Sequence, residues 1–171
     1  TGKYFDWEDY LFRTGIFQTN DLSISGGSEN TKYYSSLSYT KDKGRAIINE
    51  YERVAGRVNL NQRVFKNVTY NINLNVANTD KTGFNDTRST GSNPFFQSRN
   101  LLFPFYWPTD YKTGNSWTAQ YGSLAFNADY YNDQWDNSTG TLKLGAVQSL
   151  SWEIVSGLTA KTIFSFDNTA V

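Results

Sequence analysis

The chain has 171 residues, with Lys plus Arg equal to Asp plus Glu at sixteen each, so its formal net charge is zero, and it contains no His and no Cys. A neutral chain without a run of basic residues lacks the patch that neutralises nucleic-acid phosphates. The missing cysteines exclude a disulfide framework and thiolate metal sites, and the missing histidines remove the commonest general base and metal ligand.

Hydrophobic residues make up only 38% of the chain while aromatics reach 17%. That balance is poor in aliphatic core formers and suits a β-barrel girdled by aromatic rings. No apolar stretch approaches the ~20 residues of a transmembrane helix, and no secretory leader is present. Thr1 and the absence of Met place the expected start of the protein upstream.

Period-two alternation predicts six strands. The first, near 18–27, sets Leu22 and Ile24 against Ser23 and Ser25; the second, near 31–41, sets Tyr33, Leu37 and Tyr39 against Tyr34, Ser36 and Ser38. The third, near 53–62, alternates Val54, Val58 and Leu60 with Ala55, Arg57, Asn59 and Asn61. The fourth, near 68–78, is the clearest: Val68, Tyr70, Ile72, Leu74 and Val76 interleave with Thr69, Asn71, Asn73 and Asn75. A strand gathers such a set on one face, whereas a helix scatters it. The fifth, near 139–152, opposes Leu142, Leu144, Leu150 and Trp152 to Lys143, Ser149 and Ser151. The sixth, near 157–168, opposes Leu158, Ala160, Phe164 and Phe166 to Thr159, Lys161, Ser165 and Asp167. Each is about the ~9–11 residues that cross a bilayer as a tilted strand.

The connections run short, long, short, long, short: Gly26–Asn30, Lys41–Glu52, Arg63–Asn67, a very long loop over 79–138, and Glu153–Gly157. Tight turns on one side and long loops on the other are the pattern of an outer-membrane barrel, whose long loops are extracellular. A soluble β-sandwich that binds glycans through the same aromatics also explains alternation. Such sandwiches seldom carry a loop of this length or strands this long. Six strands are too few to close a barrel, since the smallest common ones have about eight and lipid penalises unpaired edges. The expected fold class is therefore all-β, an antiparallel transmembrane segment of a larger barrel, with 1–171 forming part of one barrel domain.

Within 103–135, 11 of 33 residues are aromatic. Trp107, Tyr111, Trp117, Tyr121, Tyr131 and Trp135 are candidates for stacking on a substrate or contacting a partner, because flat rings with polar handles suit both. The plainer reading is that these rings pack on one another to order the loop. Arg57, Asn59, Asn61, Asn71, Asn73 and Asn75 are expected to face a wet lumen, where any barrel interior is polar. Tyr33, Tyr34, Tyr70, Trp152, Phe164 and Phe166 are read as interface anchors. Asp129, Asp133, Asp136 and Asn137 offer oxygen ligands for Ca²⁺ without EF-hand spacing, so a solvated acidic loop is the stronger reading. No metal, cofactor or catalytic set is called. The adjacent Glu8 and Asp9, taken as strand neighbours, point apart, and an enzyme without His or Cys needs paired carboxylates.

One run is more specific. Asp6-Trp7, Leu11-Phe12-Arg13-Thr14-Gly15, Asn20 and Leu22-Ser23-Ile24-Ser25-Gly26-Gly27, continued by Lys32-Tyr33-Tyr34, Leu37-Ser38-Tyr39, Gly44 and Arg57-Val58-Asn59-Leu60, resembles the region just after the plug of SusC/RagA-type TonB-dependent transporters. The resemblance covers about Asp6 to Asn75. It implies a plugged single-chain barrel of 22 strands in the outer membrane of a Gram-negative bacterium. It also implies a TonB-contacting segment outside this chain, a SusD-like surface lipoprotein as a lid, and import of oligosaccharides or peptides without a catalytic group. A siderophore-type TonB-dependent receptor is the nearest rival, and a barrel with a purely structural or adhesive role is a further one.

Overall fold

Alternating apolar and polar residues leave a strand with two chemically different faces, and neighbouring strands must match them. The computed structural model, which describes residues 4–83, 93–122, 125–127, 130 and 137–171, shows this arrangement. Its strands are β1 (Ile16–Gly27), β2 (Thr31–Lys43), β3 (Glu50–Phe65), β4 (Val68–Thr82), β5 (Ser138–Val155) and β6 (Leu158–Ala170), joined in one sheet in chain order. Two short helices, α1 (Trp7–Leu11) and α2 (Pro94–Asn100), complete the described elements.

The turns explain the pairing. Between β1 and β2 the Ser28 amide donates to the Thr31 carbonyl at 2.6 Å. Asn67, in the two-residue turn after β3, receives the Glu153 amide at 2.9 Å and returns its own Nδ2 to the Glu153 carbonyl at 3.1 Å. Gly157, with φ of 86°, supplies the left-handed residue that lets β5 and β6 meet through two residues. These two pair antiparallel from Leu142↔Ala170 to Val155↔Leu158, with an irregularity between Glu153 and Val155.

Side-chain contacts fix the faces. Asn61 bonds Asn71, Asn71 donates to Ser149 Oγ at 3.4 Å, and Asn75 lies against Gly145. With the period of two, Arg57, Asn59, Asn61, Asn71, Asn73 and Asn75 share one polar face. On the opposite face Tyr33 lies over Gly26, Val76 lies beside Gly56, and Tyr70 donates from its hydroxyl to Gln148 Oε1 at 2.7 Å. Tyr33 and Tyr34 are neighbours in β2 and so divide between the faces.

The strands run further than the alternation. β2 continues to Lys43 and β4 to Thr82, where both faces are polar. There Lys41 pairs with Glu52 at 3.3 Å and Asn78 donates to Asp80 at 2.9 Å. Ladder hydrogen bonds continue where the side chains no longer signal a face, so a reading by alternation stops early.

The chain divides into two units. One comprises Gln18–Lys41, Glu52–Asp80 and Thr139–Val171 and contains the body of the strands. Its apolar face is bare: Leu22, Ile24, Leu74, Leu144, Leu150 and Trp152 are all exposed. The other comprises Thr1–Phe17, Asp42–Tyr51 and Lys81–Ser138. It has a small core of Trp7, Leu11, Phe12, Ala46 and Leu102.

That core corrects the expectation for Glu8 and Asp9, which occupy α1 and not a strand. The Asp6 carboxylate caps the helix by accepting the Asp9 amide at 2.9 Å, and Glu8 and Asp9 fill its first turn, where negative charge suits the helix dipole. Glu8 then takes Arg99 of α2 at 3.2 Å and Arg45 at 3.8 Å.

Candidate functional site

The 103–122 segment forms a groove because its aromatic rings are held at backbone anchors. A small loop is closed by an isolated bridge between Thr109 and Ser116, by the Trp117 amide donating to the Pro108 carbonyl at 2.7 Å, and by the Asp110 amide donating to the Asn115 carbonyl at 2.8 Å. Asp110 Oδ1 accepts the Lys112 amide at 2.7 Å, and Gly114, with φ of 74°, turns the tip. Buried Asn127 ties this loop down, its Nδ2 reaching the carbonyls of Pro108 at 2.9 Å and Trp117 at 3.1 Å.

Three rings then lie nearly parallel. Tyr106 and Tyr121 stack at 4.6 Å and 11°, and Tyr121 and Trp117 at 6.0 Å and 7°. Phe105 meets Tyr106 edge-on at 4.6 Å, and the Tyr121 hydroxyl donates to the Trp107 carbonyl. Such offset and edge geometries are the favoured ones for aromatic pairs. Beneath them lies the N-terminal segment. Trp7 Nε1 donates to the Tyr106 carbonyl at 3.0 Å, Phe5 bonds the Pro104 carbonyl through its amide at 2.7 Å, and the rings of Phe5 and Trp7 abut Trp107 and Tyr121 at 5.3 and 6.1 Å.

The resulting open groove has a volume of about 690 Å³ and is lined by Phe105, Tyr106, Trp107, Thr109, Asp110, Tyr111, Trp117, Gln120 and Tyr121. Four of the six aromatic candidates, Trp107, Tyr111, Trp117 and Tyr121, therefore converge. Tyr131 and Trp135 lie outside the described residues, as do Asp129, Asp133 and Asp136. Self-packing and groove formation are both real: Tyr121 is sandwiched between rings, while Tyr111 is 88% exposed. Thr109, Asp110 and Gln120 escaped sequence reasoning because lone polar residues in a loop carry no pattern.

The family-like run at the N-terminus also acquires a physical role. Arg13 donates from Nε to the Gly44 carbonyl at 3.1 Å, and from Nη2 to Glu50 Oε1 at 3.2 Å and the Asn49 carbonyl at 3.4 Å. The Arg13 amide reaches the Arg45 carbonyl at 2.7 Å, and Phe12 bridges Ala46. One guanidinium fork thus organises the connection between β2 and β3. Among the described residues no group of His, Cys, Asp and Glu is arranged to hold a metal ion, and no described helix is long and apolar enough to cross a membrane.

No family model matches the chain. Among curated proteins it is 36% identical over 83 residues to the TonB-dependent receptor SusC of Bacteroides thetaiotaomicron, covering 48% of this chain and 8% of that protein. It is 31% identical over 86 residues to the TonB-dependent receptor P3 of Formosa agariphila, covering 50% and 9%. Among solved structures, the RagAB peptide importer in its closed-closed state superposes with a TM-score of 0.75 at 25% identity, over 97% of this chain and 19% of that one. The chain thus spans under a tenth of those two curated relatives and about a fifth of the structural one. Matching sequence and shared strand architecture together make the chain similar to a fragment of SusC/RagA-type TonB-dependent transporters.

Proposed function

We propose that the protein imports large nutrients, oligosaccharides or peptides, across the outer membrane of a Gram-negative bacterium, using energy delivered through TonB. The observation that carries this reading is the two-faced sheet. Its exposed apolar face is far broader than a soluble monomer leaves to water, and lipid is the solvent that suits it. The opposite face, with Arg57, Asn59, Asn61, Asn71, Asn73 and Asn75, faces the lumen. The sheet belongs to a plugged barrel of 22 strands whose other strands cover the open edges of β1 and β6. The segment 79–138 lies outside the cell, its aromatic groove contacting substrate or a SusD-like lipoprotein lid. The protein performs no bond chemistry.

Likeness to a TonB-dependent receptor named SusC and to a peptide importer supports the import reading, and the importer's name supports the peptide class. A soluble glycan-binding sandwich is disfavoured by the uncovered face, because a sandwich buries its apolar side.

The test is uptake by cells that carry or lack the full-length gene, fed labelled oligosaccharide or peptide mixtures, with and without functional TonB. Loss of uptake on deleting either gene is expected. Unchanged uptake of both classes in the deletion strain would exclude the reading. Co-purification from detergent extracts tests the lid, which should appear as a stoichiometric lipoprotein.

A further inference from the structure

The groove has an unusual charge inventory. Its lining contains one ionisable acid, Asp110, and no Lys or Arg. Among the described residues Asp110 has no ion-pair partner, since the ion pairs there involve Glu8, Glu50 and Glu52. The carboxylate is held in place nonetheless, with Oδ1 accepting the Lys112 amide and the backbone amide and carbonyl engaged by Asn115 and Gly114. Around it stand aromatic rings, among them Trp107, Tyr111 and Trp117, while Tyr121 is stacked on both sides.

We propose that this groove receives a positively charged group of the ligand, an ammonium or a guanidinium, seated against the aromatic faces and paired with Asp110. The proposal names the ligand chemistry of the groove that the import reading makes a substrate contact, and to that extent it rests on that reading. Aromatic faces carry negative potential and attract cations, most strongly where water is partly excluded. A fixed carboxylate with no ion-pair partner among the described residues supplies the complementary charge. The protein already shows the preference locally: Lys112 Nζ lies 5.7 Å from the centre of the Tyr111 ring. An anionic ligand would meet Asp110 inside the groove, with Lys112 placed outside the lining against the Tyr111 ring. A neutral sugar would find Thr109, Gln120 and tyrosine hydroxyls as polar partners but would leave the charge of Asp110 uncompensated. Two sources present the required group, a basic side chain of a peptide and the free amine of an amino sugar.

The experiment uses the full-length transporter purified in detergent and titrated calorimetrically with two probe pairs. These are trilysine against its fully N-acetylated form, with the α-amine also blocked, and the glucosamine trimer against its N-acetylated form. At least one free amine should bind about tenfold more tightly than its acetylated twin, the scale of one charge-assisted contact. The pair showing the difference identifies the source. Asp110→Asn keeps an oxygen for the Lys112 amide and should abolish the discrimination, and Tyr111→Leu, at an exposed ring, should weaken amine binding several-fold. Equal binding of free and acetylated forms, no binding of either amine, or discrimination surviving in Asp110→Asn would overturn the proposal. Uptake in wild-type cells tests the import reading separately, so its failure would leave the comparison of free and acetylated probes standing.

Discussion

The Asn75 side chain lies flat across the backbone of Gly145, so that a Cβ built on that glycine would come within 2.5 Å of Asn75 Oδ1. Gly145 is accordingly buried although it stands in an otherwise open sheet. Any side chain there must lift Asn75 out of the polar row it shares with Asn71 and Asn73. Gly145→Ala should destabilise the barrel by less than about 1 kcal/mol, because the Asn75 amide it meets is the exposed end of a side chain that can swing aside. Gly56→Ala is the control, because its Cβ would meet Val76 Cγ1 at an ordinary 3.4 Å. The temperature at which the full-length barrel loses its compact, heat-modifiable band on a detergent gel should fall slightly for the first variant and hold for the second.

Arg13 serves several acceptors at once, and no other side chain reproduces its fork. Its ion pair with Glu50 is partly exposed, with side chains 31% and 43% accessible, so it contributes below about 1 kcal/mol by itself. Its bonds to the Gly44 and Asn49 carbonyls add about 0.5–1.5 kcal/mol each. Arg13→Ala should loosen the β2–β3 connection, and trypsin should then cut after Lys43 or Arg45 faster than in the parent. Arg13→Lys should fall between the two. Equal cleavage of all three proteins would show that the connection is ordered without the fork.

Leu74 and Asn73 are adjacent in β4 and face opposite ways. If the apolar face meets hydrocarbon, Leu74→Arg should cost about 2–4 kcal/mol in refolding into lipid vesicles, and Asn73→Arg less than about 1 kcal/mol. Equal costs, or the reverse order, would reject the assignment of faces.

Trp7 stands under the groove without lining it. Trp7→Phe removes the Nε1 bond to the Tyr106 carbonyl while keeping a ring against Tyr121. A loss of about 0.5–1.5 kcal/mol is expected for the orphaned carbonyl and lost bond. The near-ultraviolet circular dichroism of the full-length protein should weaken because the stacked Tyr106, Tyr121 and Trp117 shift. A spectrum unchanged apart from the lost tryptophan would mean that the rings are positioned by the Asn127 contacts alone.

The sheet was legible because alternation is a direct consequence of strand geometry, as in Tyr70, Ile72, Leu74 and Val76. The strand ends were not, since Lys41, Glu52, Asn78 and Asp80 are polar whichever way they point. Helix α1 escaped because five residues leave too little room for a helical period, although Asp6 followed by Glu8 and Asp9 is a capping signal in retrospect. For the groove, aromatic density identified Trp107, Tyr111, Trp117 and Tyr121. It did not identify Asp110, whose importance comes from what surrounds it in space.

The strand order β1 to β6 has a kinetic consequence. Each pair except one is joined by a connection of a few residues, so those pairings form with little chain to fix. Pairing β4 with β5 must instead close across residues 83–137, and the entropy of closure grows with the length enclosed. The seam between these two strands should therefore zip last unless the inserted segment orders first on its own aromatic rings. Folding rate in this region is then set by how quickly the insertion collapses, and substitutions at Tyr106, Trp117 or Tyr121 would slow strand joining far along the sequence from where they act.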